Sequence, residues 1–460
     1  MVSSPVAKRS RSEDTGVPEL GVLYPKLLLP DISKVDLSKW AVVACDQFTS
    51  EPDYWDRVEQ TVGDHPSTLR LTFPEVYLEK GEDEERISRI NACMKQYESD
   101  GIFKETENHG VIVVERTLRS GVLRRGIVLA LDLEEYSFKP DSTSLIRATE
   151  KTIESRIPPR LKVRKDARIE LPHIIVLIDD GEDVVMSSVS DLCDESTCVY
   201  ETELMERSGH VKGFWIDNPV ALDRLSEALR KLADPAAFAD KYGSDEDLMV
   251  FAMGDGNHSL ATAKTLWEQI KSDAERNGES VQNHPARYAL VEIQNCQDST
   301  LIFEPINRLV FDAPSTILTD LKEWFDRDGQ GPVVVVEGED VYNEVLSSGD
   351  TENVGYVLNG RKGIISIPNP KKVLPVASMT DFLDDWLSHH PDARIDYVHE
   401  TTAIDRHCTN DEDNVGFVFA SMSKSDLFKT VIKDGVLPRK TFSMGNAHDK
   451  RFYLEARYIR

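Results

Sequence analysis

One short stretch combines two glycines with carboxyl, amide, imidazole and hydroxyl side chains. Its residues are Gly254, Asp255, Gly256, Asn257, His258 and Ser259. The glycines allow a tight turn and the close approach of a ligand. An Asp can accept a proton or bind a metal, and a His can carry a proton or bind a metal. The stretch has the residue types of an anion or metal-phosphate site, although Asp-Gly and an N-capping Ser are also ordinary turn chemistry.

The runs on either side of this stretch predict a strand, a tight turn and a helix. The apolar run Leu248–Ala252 stands before it. After it, apolar residues recur at helical spacing, at Leu260, Ala263, Trp267, Ile270 and Ala274, which predicts a helix that ends near Gly278. The amides that open a helix carry partial positive charge. We therefore expect an anion site where this helix begins.

Two other segments carry candidate ligand contacts. Ala41–Ala44 predicts a buried strand that ends at Asp46 and Gln47, a common place for ligand contacts in α/β proteins, although a structural turn is equally compatible. Arg147 and Glu150 stand three residues apart, so a helix here would place them on one face. Such a pair could hold a phosphate and a metal or hydroxyl, but an isolated pair is more often a solvated salt bridge.

The net charge of −27 is distributed unevenly. From Arg147 to Arg168 eight basic residues face three acidic ones, and from Arg439 to Arg460 six face two. We call these segments the basic islands. In the first, Pro158 and Pro159 predict the end of a helix, with Arg160 on an extended arm beyond it. Basic islands in an acidic chain indicate a focused anion pocket, unless each island pairs with acidic surface elsewhere.

The composition excludes several classes of protein. The acidic charge argues against general binding of nucleic acid, whose phosphates need Lys and Arg. No apolar run approaches the roughly 20 residues that span a bilayer, and the N-terminus lacks the apolar region of a signal peptide. The six cysteines lack the paired spacing of a zinc site. We expect a reduced, cytoplasmic protein with no membrane or nucleic-acid partner.

A chain of 460 residues is too long for one ordinary core. Residues 1–18 are polar without apolar periodicity, which predicts a disordered tail. Strands and helices alternate from there to about residue 310, and the pattern loosens into shorter units over 311–460. The pattern predicts an α/β or α+β fold of mixed sheets with helices, with a core domain over 19–310 and a C-terminal α+β domain.

Several long segments resemble a widespread uncharacterised family, whose microbial members are called a domain of unknown function. The segments are Trp40–Pro52, Pro66–Leu71, Ser144–Glu150, Leu171–His173, Gly254–Lys264 and Leu437–Phe452. In many relatives the central turn reads Asp-Gly-His-His-Arg. That form resembles the turn of free serine kinases of the ParB and sulfiredoxin-like superfamily, which bind nucleotides. The likeness implies a ParB/sulfiredoxin-like core that carries the nucleotide site.

The resemblance implies phosphoryl transfer between ATP or ADP and a small hydroxy amino acid, with Mg²⁺. It makes Asp255 the candidate base, His258 a phosphate or metal contact, and Glu150 the match to an assisting Glu. By its own chemistry Asp255 could also bind the metal. Nucleotide and phosphate contacts are expected from Gly254, Gly256, Asn257, Ser259, Lys264, Arg147, Arg160, Lys440 and Arg451. Substrate contacts are expected from Asp46, Gln47 and Arg70.

The chain departs from the relatives at two places of the turn: Asn257 replaces the first His, and Ser259 replaces the Arg. Loss of that Arg removes a bidentate phosphate contact, so Lys264 or a basic island must replace it, or the chemistry differs. Three functions stay open. They are a nucleotide-dependent kinase acting on free serine, a hydrolase of phosphoserine, and a nucleotide-binding regulatory protein without turnover.

Overall fold

The computed structural model describes residues 15–243, 246–348, 353–411, 413–438 and 440–460. Its helices are α1 (Leu37–Trp40), α2 (Pro52–Val62), α3 (Asp83–Ser99), α4 (Ile157–Lys165), α5 (Val184–Ser190), α6 (Pro219–Leu232), α7 (Pro235–Tyr242), α8 (Asn257–Asn277), α9 (Ile317–Arg327), α10 (Glu339–Ser348), α11 (Pro375–His389), α12 (Thr401–Asn410) and α13 (Lys424–Asp434).

Its strands are β1 (Gly16–Val17), β2 (Val22–Leu23), β3 (Leu28–Pro30), β4 (Phe103–Glu105), β5 (Val111–Thr117), β6 (Leu123–Asp132), β7 (Tyr136–Ser137), β8 (Ile146–Arg147), β9 (Ile169–Glu170), β10 (Ile175–Ile178), β11 (Cys198–Glu203), β12 (His210–Ile216), β13 (Phe251–Asp255), β14 (Tyr288–Asn295), β15 (Phe303–Pro305), β16 (Asn307–Phe311), β17 (Val334–Glu337), β18 (Asn353–Leu358), β19 (Arg361–Ser366), β20 (Arg394–Val398), β21 (Val415–Phe419), β22 (Phe442–Met444) and β23 (Arg457–Tyr458). Residues 1–14 of the predicted tail lie outside the described ranges, as does Arg439 of the second basic island. β1, which the prediction also assigned to the tail, pairs with β2.

One large mixed sheet dominates the first part of the chain. Its strands run in the order β11–β12–β5–β6–β14–β10–β13–β8–β7, and β2 also pairs with β6. Because successive side chains of a strand face opposite sides, Val111 and Val113 of β5 pack in one core while Ile112 and Val114 pack in another. The sheet is therefore covered on both faces. The predicted class of mixed sheets with helices is confirmed.

β13 and α8 form the predicted strand, turn and helix inside this sheet. β13 lies between β10 and β8 and ends at Asp255, and α8 begins at Asn257. Gly256 joins them with a φ of +79°, and a Cβ at this position would lie 3.2 Å from Cα of Ile174. Both conformation and packing therefore require glycine here. α8 ends with Gly278 as its left-handed C-cap, as the pattern predicted.

A second sheet is built from the later part of the chain. Its strands run in the order β17–β19–β18–β21–β16–β20, and Phe325 of α9, Phe382 of α11 and Phe417 of β21 pack together in its core. Strands change from the first sheet to the second between β14 and β16, near the predicted boundary at residue 310. The division into domains itself stays a prediction.

The end of the chain returns to the first part of the fold. β22 pairs with β15, and β23 pairs with β9. Between them Phe452 bridges Val43, and the amide of Tyr453 donates to the carbonyl of Val42 at 2.9 Å. The segment that carries the second basic island is thus packed against residues of the predicted core domain.

Local structure differs from the sequence-based expectation around both early candidate segments. Ala41–Ala44 contributes a single bridge, at Val43, rather than a strand. Arg147 lies in β8, which pairs with β13, so Arg147 and Glu150 do not share a helical face. Pro158 and Pro159 do not end a helix. They stand in the first turn of α4, where a missing N–H costs no hydrogen bond, and α4 carries Arg160.

Within the described ranges, every helix is too short or too polar to span a bilayer.

Candidate functional site

Two cavities meet where β13 ends and α8 begins. The first has a volume of about 680 Å³ and is lined by Arg156 and Arg160 of the first basic island, so we call it the arginine cavity. The second has a volume of about 880 Å³ and is lined by Glu304 and Glu400, so we call it the carboxylate cavity. Both are lined by Glu150, Asp255 and Asn257. A ligand in one cavity would therefore lie next to a ligand in the other at these three side chains.

Asp255 is held by an ion pair and by its own turn. One of its oxygens lies 3.1 Å from Nζ of Lys450, and the other accepts a hydrogen bond from the amide of Gly256 at 3.0 Å. Lys450 comes from the segment after β22. Its backbone carbonyl, and that of His448, accept from the guanidinium of Arg116 on β5. The first sheet therefore positions the lysine that neutralises Asp255.

Glu150 is a partly buried carboxyl group at the junction of the cavities. Its pKa is raised to about 7, chiefly by burial and then by the nearby charge of Asp255, while Lys450 acts in the opposite direction. Backbone contacts fix the segment on both sides. The carbonyl of Thr149 accepts from the amide of Leu437 at 2.7 Å, and its hydroxyl donates to the carbonyl of Met253 at 2.8 Å. A carboxyl group with this pKa can exchange a proton near neutral pH.

His258 is neutral at pH 7. Its pKa is lowered to about 4, chiefly by burial and then by the positive charges of Arg160 and Arg156. Its Nε2 accepts from the amide of Ile153 at 3.3 Å, which leaves Nδ1–H as a donor. His258 therefore fits a donor to a phosphate oxygen better than it fits a metal ligand through Nε2.

Arg160 and Glu75 form an ion pair in the wall of the arginine cavity. Burial raises the pKa of Glu75, and Arg160 opposes that rise. Asn257 has its Oδ1 atom buried without a hydrogen-bond partner among the described residues. An unpaired buried oxygen is costly, so it indicates a missing donor or cation at this end of α8.

Ser259 belongs to a chain of hydrogen bonds that leads into the protein. Its Oγ lies 2.6 Å from Nε2 of His173, and Nδ1 of His173 lies 3.0 Å from the hydroxyl of Tyr453. That hydroxyl accepts from the amide of Cys45 at 3.0 Å. Ser259 also lines the arginine cavity, so the chain of hydrogen bonds ends at the site.

Many of the predicted site residues do come together. The turn residues Gly254, Asp255, Gly256, Asn257, His258 and Ser259 line one or both cavities, as do Glu150, Arg160, Asp46 and Gln47. Asp46 faces the arginine cavity and Gln47 the carboxylate cavity, and their side chains are joined by a hydrogen bond of 3.0 Å.

Five predicted contacts lie elsewhere. Arg147 is buried and donates to the carbonyls of Ser144 and Asp247. Lys264 donates to the carbonyl of Leu133 and pairs with Glu268. These cations line neither cavity because the fold uses them to hold its own backbone and helices.

The other three are also used within the protein. Arg70 pairs with Glu59 at 2.6 Å. Lys440 stacks on the ring of Tyr397, with Nζ 4.5 Å from the ring centroid. Arg451 is buried between the carboxylates of Glu292 and Glu455. None of these three lines either cavity.

The sequence-based list missed Lys450, Arg156, Glu75 and His173. Lys450 and Arg156 belong to the basic islands, but nothing local distinguishes them from neighbours such as Arg451. His173 was present in the quoted segment Leu171–His173 without an assigned role. Arg156 and Arg160 of the first island and Lys450 of the second therefore lie at the central turn, whereas Arg164 and Arg457 are paired with Glu170.

The oxygen atoms around the turn fit a magnesium ion shared with a phosphate. Among the described residues no group of three or more His, Cys, Asp or Glu side chains could hold a metal alone. Mg²⁺ characteristically uses one or two carboxylates and completes its shell with water and substrate phosphates. Asp255, Glu150 and the unpaired Oδ1 of Asn257 supply such oxygens.

The comparisons with solved structures cover most of the chain at low identity. A free serine kinase variant in complex with AMP is 10% identical, over 71% of this chain and 90% of that chain, with a TM-score of 0.37. A conserved hypothetical protein from Pyrococcus furiosus is 10% identical, over 72% and 94%, with a TM-score of 0.34. C-terminally truncated SbnI from Staphylococcus aureus is 7% identical, over 69% and 82%, with a TM-score of 0.35.

A comparison with curated protein sequences finds no match. A family profile described as "Protein of unknown function (DUF1015)" matches residues 30–385, which is most of the chain. The six segments quoted above indicated membership of an uncharacterised family, and that prediction is confirmed. The chain belongs to the DUF1015 family.

Proposed function

We propose that this protein is a nucleotide-dependent phosphotransferase that moves a phosphoryl group from ATP or ADP to the hydroxyl of a small metabolite, with free serine as the first candidate. The observation that carries the proposal is the junction of two cavities at Glu150 and Asp255. Phosphoryl transfer needs a donor and an acceptor held next to each other, with little covalent chemistry from the protein. Donor and acceptor then occupy one cavity each.

The arginine cavity is the candidate site for the nucleotide phosphates. Arg156 and Arg160 line it, and both lower the pKa of His258, so their charges reach the turn. The first amides of α8 and Nδ1–H of His258 add neutral donors at the same place. Together these groups would neutralise the charge that spreads over the transferred phosphoryl oxygens.

Glu150 is the candidate base for the acceptor hydroxyl. The motif resemblance assigned this role to Asp255, but both oxygens of Asp255 are engaged, by Lys450 and by Gly256. Glu150 has a pKa of about 7, and no hydrogen bond to its carboxyl group is found among the described residues. It would take the hydroxyl proton as the phosphoryl group arrives.

Asp255, with Asn257 beside it, is then the candidate residue for holding Mg²⁺. The ion, when bound, would neutralise charge on the phosphate oxygens. Lys450 contacts one carboxylate oxygen of Asp255, so binding of the metal there would be coupled to the position of the lysine. Glu304 and Glu400 line the acceptor cavity, and either carboxylate could pair with the amino group of an acceptor such as serine.

The decisive experiment follows phosphoserine by mass spectrometry. The purified protein is incubated with Mg-ATP or Mg-ADP and serine, and in parallel with phosphoserine alone. We expect phosphoserine to form with nucleotide, and Glu150→Gln and Asp255→Asn each to slow its formation by about a hundredfold or more. Gln282→Glu serves as the control. It makes the opposite exchange, of an amide for an acid, at an exposed position that lines neither cavity.

The two other functions are separated by the same samples. Loss of phosphoserine without nucleotide would indicate a hydrolase and contradict the kinase. Nucleotide binding without any change in serine or phosphoserine would indicate a regulatory protein. Formation of phosphoserine at an unchanged rate in both carboxylate variants would remove Glu150 and Asp255 from the proposed roles.

A further inference from the structure

Ser259 is connected to the interior by an ordered series of polar groups. The series runs from the backbone amide of Cys45 to Tyr453, then to His173, and then to Ser259. Tyr453 is almost fully buried, and burial raises the pKa of its phenol well above its ordinary value. Tyr453 therefore keeps its proton throughout the physiological range.

The direction of each hydrogen bond follows from the first one. A backbone N–H can only donate, so the oxygen of Tyr453 accepts from Cys45 and its own proton is free to be given. Nδ1 of His173, 3.0 Å away, is a better acceptor than the thiol of Cys45, the other group within reach. Nδ1 therefore carries no proton, and the ring N–H of His173 is on Nε2.

The Nε2–H of His173 then donates to Oγ of Ser259 across 2.6 Å. A hydroxyl that accepts in this way must turn its proton elsewhere. Among the described residues, His173 is the hydrogen-bond partner found for this Oγ. Ser259 lines the arginine cavity, so its proton is available to a ligand there.

We propose that Ser259 is a fixed hydrogen-bond donor to an anionic phosphate oxygen of the ligand, and that His173 and Tyr453 are the positioning residues that set the direction of its proton. The inference rests on the proposed function for the identity of the anion, a nucleotide phosphate. It adds a neutral donor beside Arg156 and Arg160. We call the series from Cys45 through Tyr453 and His173 to Ser259 the relay. While the relay is intact, the Ser259 hydroxyl cannot turn round to accept a hydrogen bond from the ligand.

The tautomer of His173 tests the relay in the ligand-free protein. Nitrogen NMR of the full chain, with the resonance assigned by its loss in His173→Asn, is expected to show the proton on Nε2. In Tyr453→Phe the donor to Nδ1 is gone, and the proton is expected to move to Nδ1 in part or all of the molecules. A proton on Nδ1 in the unchanged protein overturns the relay.

Binding tests the donor. Calorimetric titration with Mg-ADP and with inorganic pyrophosphate is expected to give affinities about tenfold to a hundredfold weaker for Ser259→Ala, the usual range for a hydrogen bond to a charged group. Ser272→Ala makes the same change on the exposed side of α8 and is expected to bind both probes as the unchanged protein does. Equal affinity of Ser259→Ala and the unchanged protein overturns the proposal.

A double variant separates a relay from two independent structural effects. If Tyr453 acts only through Ser259, Ser259→Ala combined with Tyr453→Phe binds pyrophosphate no more weakly than Ser259→Ala alone. If the losses of binding free energy in the two single variants add in full in the double variant, the relay is overturned. Pyrophosphate binding without nucleotide binding would sink the proposed function and leave this inference standing, whereas binding of neither probe overturns both.

Discussion

Glu150 decides the pH dependence of the proposed reaction. Its pKa of about 7 means that the base is half protonated at neutral pH. A protonated carboxyl group cannot take the proton of the serine hydroxyl. We therefore expect kcat/KM for serine to rise as the pH increases through about 7. In Lys450→Met the opposing positive charge is removed, so the rise should move to higher pH. Lys271→Met, a change on the far part of α8, should leave the profile in place.

The pH profile contradicts the role of Glu150 if Lys450→Met moves the rise to lower pH or leaves it unchanged.

The raised pKa of Glu150 also makes the stability of the folded protein depend on pH. The folded protein keeps the Glu150 proton up to a pH of about 7, whereas an ordinary Glu side chain loses it near 4.5. Proton binding by Glu150 therefore stabilises the folded state at low pH, and this stabilisation is lost as the pH rises from 4.5 to about 7.

Sequence reasoning found the residues of the central turn because their chemistry and their spacing are local. It chose Arg451 and missed Lys450, although the two are adjacent in sequence. In an extended segment neighbouring side chains face opposite ways, so Lys450 reaches the cavity and Arg451 the interior. Which of the two faces the cavity depends on how the segment packs against Val42–Val43, and no local pattern carries that information.

At the scale of elements, the turn between β13 and α8 positions most of the site. Gly256→Ala should destabilise the protein by about 2 to 4 kcal/mol, because it adds a left-handed penalty to an overpacked contact. Gly278→Ala, at the other end of α8, has a similar positive φ but no atom within 4 Å of the added Cβ, so the penalty should be only about 1 to 2 kcal/mol.

Urea unfolding of both glycine variants measures the difference, and phosphoserine formation should fall only for Gly256→Ala. Equal losses in the free energy of unfolding at the two positions would contradict the packing argument.

The strands and helices themselves were largely predictable from the sequence. β13 and α8 were predictable because the apolar periodicity and the turn residues agree there. The helix considered for Arg147 and Glu150 does not form, because β8 pairs with β13.

At the scale of the whole molecule, the returning C-terminal segment is held by a buried ion cluster. The guanidinium of Arg451 contacts Glu292 of β14, Glu455 and the carbonyl of Pro172. Arg451→Met leaves the carboxylates buried without their partner, so we expect a loss of about 3 to 5 kcal/mol in the free energy of unfolding.

The matched control is Arg276→Met, which removes a pair with Asp273 that is mostly exposed and should change little. A loss for Arg451→Met no larger than that of the control would show that the cluster does not hold the segment. The sequence alone does not reveal this cluster, because Arg451 and Glu292 are 159 residues apart.

The return of the chain also sets the order in which the site can be assembled during synthesis. Asp46 and Glu150 leave the ribosome before the turn at Gly256, whereas Lys450 and Tyr453 follow after the second sheet. A growing chain would therefore already carry both acids of the junction and the turn at Gly256, yet lack the cation that balances Asp255. The ion pair between Lys450 and Asp255 would therefore form only after the residues of the second sheet have been made.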